Sequence, residues 1–179
     1  MKPLIETIWF KIRQTLLFFI FSFLIFSTNG FTSTKPERIL SLSPSLTEIL
    51  FAVGAGPQVI AVDNYSTYPP EAPITQLSSF EPNMEAIASF NPDLVLLSYD
   101  IGNIIKGLNI IGIETMLLPA PMNFEEILDQ IRNVGERTGN IKQANKLAND
   151  MNSQMKNLVT LMKSKSQKKL YSSFLGNVD

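Results

Sequence analysis

Cysteine and histidine are both absent from this 179-residue chain. Without cysteine, the chain can form no disulfide and no thiolate metal site, and it offers no sulfur to which a lipid could be attached. Without histidine, it lacks the commonest general base and the commonest metal ligand in proteins. These two absences argue against most hydrolase and zinc chemistry.

Other signals of an enzyme or a nucleic-acid-binding protein are also missing. The sequence contains no Gly-x-Ser-x-Gly motif, and Gly54-Ala55-Gly56 lacks the third glycine of a dinucleotide-binding loop. This segment follows a predicted helix instead of a strand, so it is better interpreted as a helix stop. The formal net charge of -1 gives no indication of a basic surface for nucleic acid. We therefore predict a protein that is not an enzyme, binds no nucleic acid and needs no cofactor or metal.

Charge is unevenly distributed along the chain. No lysine or arginine occurs between Ile39 and Ile105, whereas residues 132–169 carry nine basic residues and two acids. One end of the folded chain should therefore be acidic and suit a positively charged partner. Equally, the basic segment could fold back and neutralise the acidic one. The acids of the first segment are Glu48, Asp63, Glu71, Glu81, Glu85, Asp93 and Asp100.

Residues 1–34 have the pattern of an export segment. The basic residues Lys2, Lys11 and Arg13 precede the apolar core of residues 16–26, and small or polar residues follow it, as in a secretory signal peptide. The alternative is an uncleaved membrane anchor over residues 8–28, because earlier apolar residues extend the core toward the roughly 20 that a spanning helix needs. Both interpretations place the rest of the chain in the periplasm or elsewhere outside the cytoplasm.

Beyond the export segment, strand patterns alternate with helix patterns. We predict strands at residues 38–42, 59–62, 94–97 and 114–118, and helices at residues 46–52, 84–90, 104–110 and 124–138. The all-apolar run at residues 94–97 is typical of parallel sheets that are covered on both faces. The alternation predicts an α/β fold in which a parallel sheet is flanked by helices, within one lobe over residues 35–139.

A long amphipathic helix should follow at residues 140–168. Its apolar residues recur three and four positions apart to about Lys163, which corresponds to roughly 35 Å at about 1.5 Å per residue. An ordinary helix lying on the sheet would show the same periodicity. After this helix, residues 169–175 have a pattern that predicts the first strand of a further sheet.

Three motifs, in their order and spacing, resemble one protein family. RILSLSPSLTE at residues 38–48, NYSTYPP at residues 64–70 and NPDLVL at residues 91–96 resemble the cobalamin and iron-siderophore class of periplasmic binding proteins, which supply ABC importers. The resemblance runs from about Arg38 to the end of the chain. It implies two lobes joined by one long helix, so residues 140–168 would be this spine and residues 169–179 would begin a second lobe. The sequence then resembles an N-terminal lobe plus spine, truncated at that point.

The resemblance also implies a function. The chain would be the extracytoplasmic substrate-binding component of an ABC importer, with a permease dimer in the membrane as its partner and cobalamin or a ferric chelate as its ligand. Among such chelates, a bulky and largely neutral corrinoid fits best, because a ferric catecholate calls for arginine and zinc or manganese sites use histidine. Haem stays open through a tyrosine ligand at Tyr65 or Tyr68. A different class also stays open, namely a membrane-tethered, non-enzymatic interaction module with a vestigial ligand cleft.

The implied ligand site lies in the loops at the carboxyl ends of the strands. Tyr65 matches an aromatic residue that stacks on the ligand in the cobalamin branch, whereas Tyr68, next to two prolines, is expected to pack its loop down. Ser45-x-x-Glu48 also fits a helix capping box, which is the preferred interpretation of Glu48. The implied ligand-binding residues are Ser43, Pro44, Ser45, Tyr65, Phe80, Ser98 and Tyr99.

Glu85 is the implied contact with the permease. It matches the position at which the N-terminal lobe of this family presents a carboxylate to an arginine pocket on the permease. Asn83 should cap the helix and place Glu85 in its first turn. A helix dipole also favours a carboxylate there, so the local pattern does not separate docking from helix stabilisation.

Overall fold

The computed structural model describes residues 35–175, with side chains through residue 165. The predicted export segment, residues 1–34, lies outside this part, as do the last four residues. Within the described part, no helix is both long and apolar enough to cross a membrane.

A parallel sheet of four strands forms the centre of the lobe. The strands are β1 (Ile39–Leu42), β2 (Val59–Val62), β3 (Leu94–Leu97) and β4 (Glu114–Leu117), in the order β2-β1-β3-β4. β1 pairs with both β2 and β3, and β3 pairs with β4. The central strands β1 and β3 are buried at every residue, as expected of apolar strands covered on both faces. This confirms the predicted fold class.

Between residues 35 and 175, five α-helices accompany the sheet. They are α1 (Pro44–Ala52), α2 (Met84–Ser89), α3 (Ile104–Ile110), α4 (Phe124–Arg137) and α5 (Ile141–Leu175), and short 3-10 turns occur at Gly56–Gln58 and Ile101–Asn103. Gly54 takes a φ of 85° just after α1, which confirms that Gly54-Ala55-Gly56 ends a helix.

Side chains of the central strands alternate between two cores. Ile39 and Leu96 pack with Leu50 of α1 and Leu128 of α4 on one face of the sheet. On the other face, the alternate strand residues pack with α2 and α3, as shown by the cluster of Leu40, Leu42, Val95, Leu97, Ile87 and Leu108. Because successive side chains of a strand point to opposite faces, β3, which is buried on both faces, is apolar at all four positions.

The start of α5 packs very closely against α4. A Cβ built on Gly135 of α4 would lie only 2.1 Å from the Cβ of Ala144 in α5, so glycine is required for this approach. Ala144 and Ala148 are buried there. From residue 153 to residue 165, in contrast, every side chain of α5 is exposed. We call residues 153–165 the outer half of α5.

Two sequence predictions about helices are wrong. Residues 169–175 were expected to form a strand, but α5 continues through Leu175 and has 35 residues, about 52 Å at about 1.5 Å per residue. The physical reason is that neither glycine nor proline interrupts Ile141–Leu175. The long helix itself is confirmed, and it is longer than any other in the described part.

The second error concerns the start of α1. This helix begins at Pro44 with Ser43 as its N-cap, so Ser45 is its second residue and does not form a capping box with Glu48. Proline is well suited to the first helical position because its φ is already helical and its missing N–H would have no partner there. The cap that was predicted at Asn83 is confirmed, since its Oδ1 accepts a hydrogen bond from the Ala86 N–H at 2.7 Å.

Candidate functional site

The candidate site lies where three parallel strands end. Because β1, β2 and β3 are parallel, the loops that follow them meet at one edge of the sheet. Ser43 directly follows β1, Tyr65 lies in the loop after β2, and Ser98 directly follows β3. The parallel topology therefore brings Ser43, Tyr65 and Ser98, which are distant in sequence, to the same edge of the sheet.

A hollow of about 250 Å³ opens at this edge. Six of the seven predicted ligand-binding residues line it, and Ser45 adjoins it through a contact with Ser43. Leu42 and Ser79 also line the hollow and were missed, although each is next to a predicted residue in the sequence. The full lining is Leu42, Ser43, Pro44, Tyr65, Ser79, Phe80, Ser98 and Tyr99.

Three aromatic side chains form the rim of the hollow. Tyr65 is 53% exposed, Phe80 is 62% exposed and Tyr99 is 59% exposed. The rings of Tyr65 and Phe80 meet edge to face, with their centroids 5.3 Å apart and an interplanar angle of 87°. This arrangement is favourable for two aromatic rings, and more than half of each side chain remains exposed for a further partner. Exposed aromatic side chains that cluster at a concave surface indicate a binding site. We call these three residues the aromatic rim.

Serine hydroxyls lie beneath the aromatic rim. Ser98 Oγ donates to Ser43 Oγ at 2.9 Å, and Ser43 Oγ lies 3.1 Å from Ser45 Oγ. Ser43 is also the N-cap of α1, where the first N–H groups of a helix have no intrahelical acceptor. The floor can therefore exchange hydrogen bonds with polar groups at the edge of a large apolar ligand.

The hollow has no charged lining residue. In the part of the chain that the structure describes, no group of three or more acidic residues is arranged to hold a metal ion. Such a site suits a bulky ligand with a neutral surface better than a small ion.

Two further predicted residues lie away from the hollow. Tyr68 is not among its lining residues, and its side chain is 64% exposed, so the prediction that it packs the loop down is wrong. Glu85 lies in the first turn of α2, as predicted, and is exposed. Docking requires an exposed carboxylate, and a carboxylate that only stabilises the helix terminus would lie in the same place. The position of Glu85 therefore fits both roles.

The predicted acidic face needs one correction. Asp63 was counted among its carboxylates but is fully buried. Basic residues of α4 and α5 form ion pairs with acids outside the segment of residues 39–105: Arg132 with Asp129, Arg137 with Glu114 and Lys146 with Asp150.

Comparisons with known proteins agree with this geometry. A family model described as a periplasmic binding protein matches residues 39–176. An uncharacterized ABC transporter substrate-binding lipoprotein of Bacillus subtilis is 32% identical over 146 residues, which are 79% of this chain and 46% of that protein.

Two solved structures are also similar. The periplasmic vitamin B12 binding protein of Vibrio cholerae has a TM-score of 0.64 at 29% identity, covering 73% of this chain and 52% of that one. A periplasmic heme-binding protein of Roseiflexus has a TM-score of 0.59 at 29% identity, covering 65% of this chain and 46% of that one. The chain thus spans about half the length of the relatives that it matches.

Proposed function

The chain belongs to the periplasmic binding protein family, and from this premise we propose that it is an extracytoplasmic substrate-binding component of an ABC importer for cobalamin or a related large chelate. The observation that carries the proposal is the aromatic rim above an uncharged floor of serine hydroxyls. A corrinoid offers both a wide apolar face for the rim and polar edge groups for the hydroxyls.

Residues 35–139 are the ligand-binding lobe in this proposal, and α5 is the spine that leads away from it. The spine role is supported by the exposed apolar side chains of the outer half of α5, such as Leu158 and Met162, which do not pack on the lobe in the described part of the chain. The family relationship adds the expectation that a second lobe closes the hollow from the opposite side. We expect the affinity of this chain alone to be low, since binding energy concentrates in enclosed anchors.

The direct test is a calorimetric titration of the full chain with cyanocobalamin, hemin, a ferric catecholate, zinc and manganese. We expect cyanocobalamin to bind more tightly than the ferric catecholate, because no arginine lines the hollow to pair with a negative ligand. Tighter binding of free zinc or manganese than of any chelate would reject the proposed function.

Haem is the second candidate, because one of the similar structures is a heme-binding protein at 29% identity. Of Tyr65 and Tyr68, the two predicted haem ligands, Tyr65 lines the hollow and Tyr68 does not, so the Tyr65 phenol is the proposed ligand of haem iron. If haem is the ligand, hemin should give a tyrosinate-to-iron absorption band that Tyr65→Phe removes and Tyr68→Phe retains. If the band is absent and cyanocobalamin binds, the corrinoid assignment stands.

Glu85 is the proposed contact with the permease. Its carboxylate is exposed in the first turn of α2, so an arginine on a partner could reach it. Glu85→Gln should leave ligand affinity nearly unchanged while weakening association with the permease and making its rate less sensitive to salt.

The matched control for docking is Glu81→Gln, which neutralises an exposed acid four residues earlier, outside α2. Association with the permease dimer in lipid would be measured for both variants at low salt. Equal association of Glu85→Gln and the unaltered chain would reject the docking role and leave Glu85 as a helix-terminus charge.

A further inference from the structure

A chain of buried polar side chains lies close beneath the candidate site. Asp63, Ser66, Thr47 and Ser41 are all fully buried, although they belong to the loop after β2, to α1 and to β1. Ser66 Oγ donates to Asp63 Oδ1 at 2.5 Å, and Thr47 Oγ1 lies 3.0 Å from Ser66 Oγ and 2.9 Å from Ser41 Oγ. We call these four residues the buried polar chain.

The buried polar chain links two loops of the hollow from below. At one end, Ser41 Oγ donates to the carbonyl oxygen of Ser43, which lines the hollow. At the other end, Asp63 and Ser66 stand on either side of Tyr65 in the sequence. The backbone follows the same path, since the Asp63 N–H donates to the Ser41 carbonyl oxygen at 3.1 Å.

The position of Tyr65 follows from these contacts. Asp63 and Ser66 direct their side chains into the protein, and the Ser66 N–H also donates to the Asp63 carbonyl oxygen at 3.3 Å. The loop between them is thereby held in a tight turn, with Tyr65 on the outside of the turn and half exposed at the rim. In this position the Tyr65 ring meets the Phe80 ring edge to face.

The buried polar chain is costly for the fold itself. In the described part of the protein, Asp63 Oδ2 is buried and has no hydrogen-bond partner. Burying a polar group without a partner is destabilising, whereas apolar side chains of similar volume would fill the same space without that penalty. A fold that needed only a packed core here would not require a carboxylate and three hydroxyls.

We propose that Asp63 is a positioning residue for Tyr65. Through Ser66 and Thr47, it fixes the loop after β2 relative to the loop after β1, so the Tyr65 ring is held against Phe80 before any ligand arrives. This pre-organisation lowers the entropic cost of binding. The inference deepens the proposed function and rests on it for the ligand, but the placement of the ring can be measured without a ligand.

The ligand-free test uses fluorine NMR of the full chain labelled with 3-fluorotyrosine, with signals assigned by single Tyr→Phe substitutions. The key variant is Asp63→Leu/Ser66→Ala, because removing both partners of a buried hydrogen bond disturbs the fold far less than removing one. We expect the Tyr65 signal to sharpen, to shift toward that of free 3-fluorotyrosine and to lose its through-space contact with Phe80. The Tyr99 signal should stay where it is.

Two single substitutions sharpen this test. Asp63→Asn keeps an oxygen that can accept from Ser66 and should therefore keep the Tyr65 signal. Thr138→Val removes an equally buried hydroxyl at the end of α4, away from the hollow, and should also keep it. If the double variant does not fold, Thr47→Val breaks the buried polar chain in its middle with almost no change of shape. The proposal would be overturned if the Tyr65 signal stayed unchanged in a folded Asp63→Leu/Ser66→Ala or Thr47→Val variant. It would also be overturned if Asp63→Asn shifted the Tyr65 signal as the double variant is expected to.

The ligand test is a double-mutant cycle with cyanocobalamin as the probe. In the otherwise unaltered chain, Tyr65→Ala should weaken cyanocobalamin binding by about fivefold or more. In the Asp63→Leu/Ser66→Ala background, the same substitution should weaken binding by less than about twofold, because the Tyr65 ring is no longer held in place there. Additive losses would overturn the positioning role. If cyanocobalamin does not bind at all, the proposed function fails, and the fluorine signals of the ligand-free protein still decide whether Asp63 positions Tyr65.

Discussion

The aromatic rim and the outer half of α5 expose apolar side chains to a similar extent, yet their surroundings differ. Tyr65 and Tyr99 of the rim are 53% and 59% exposed, and Leu158 of α5 is 56% exposed. The rim surrounds a hollow and stands above serine hydroxyls, whereas the outer half of α5 is a convex helix surface without a described neighbour. Exposure alone therefore does not define a ligand site. A ligand site is indicated by a concave surface together with nearby hydrogen-bonding groups.

The sharpest way to test this comparison is to place a charge on each half of α5. Ala148→Asp would bury a carboxylate where α5 packs against the lobe and should lower the free energy of unfolding by about 3 kcal/mol or more. Leu158→Asp, on the outer half, should change it by no more than about 0.5 kcal/mol. Urea denaturation followed by circular dichroism measures both. Equal losses would mean that the outer half is covered, which would contradict the comparison.

A smaller effect is expected at the contact between α4 and α5. Gly135→Ala would place a methyl group 2.1 Å from the Cβ of Ala144 and force the helices apart, at a cost of about 1–3 kcal/mol. The matched control is Gly107→Ala, where the nearest atom is the sulfur at the flexible end of Met84. Urea midpoints should fall clearly for the first variant and by less for the second. A stable Gly135→Ala variant would show that this close packing does not hold α5 in place.

The smallest effects on stability should come from truncating either exposed surface. Tyr99→Ala and Leu158→Ala should each change the free energy of unfolding by at most about 0.5 kcal/mol, because both side chains are more than half exposed. Thermal unfolding of the two variants beside the unaltered chain provides the measurement. A loss several times larger at Leu158 would place that residue in a packed core.

Much of the fold could be predicted because its signals are local. The strands β2 and β3 have the predicted bounds, since each is a short apolar run between turn residues. Residues 169–175 were wrongly predicted as a strand because a short run with mixed polarity fits both a strand and a helix. The start of α1 was misjudged because Ser43-Pro44 and Ser45-x-x-Glu48 are competing helix-start signals, and only the backbone of Ser43 decides between them.

The residues that line the candidate site could be predicted from the sequence, but the buried polar chain beneath them could not. The loops at the strand ends were identified through the family motifs, and the structure brings Tyr65, Phe80 and Ser98 together. Their role in ligand binding stays a prediction. The buried polar chain was not predicted, because Thr47 and Ser66 are 19 residues apart in sequence. Asp63 was interpreted as a surface charge, and its sequence neighbours gave no sign that its side chain points inward.

The central claim is that the aromatic rim, and not every exposed apolar surface, binds a large chelate. The most direct measurement compares the affinity of the full chain for cyanocobalamin, by titration calorimetry, with the affinities of Tyr65→Ala and Leu158→Ala. We expect Tyr65→Ala to weaken binding by about fivefold or more, roughly 1 kcal/mol of lost stacking, and Leu158→Ala to leave it unchanged. Equal affinities of all three proteins, or no binding by the unaltered chain, would contradict the account.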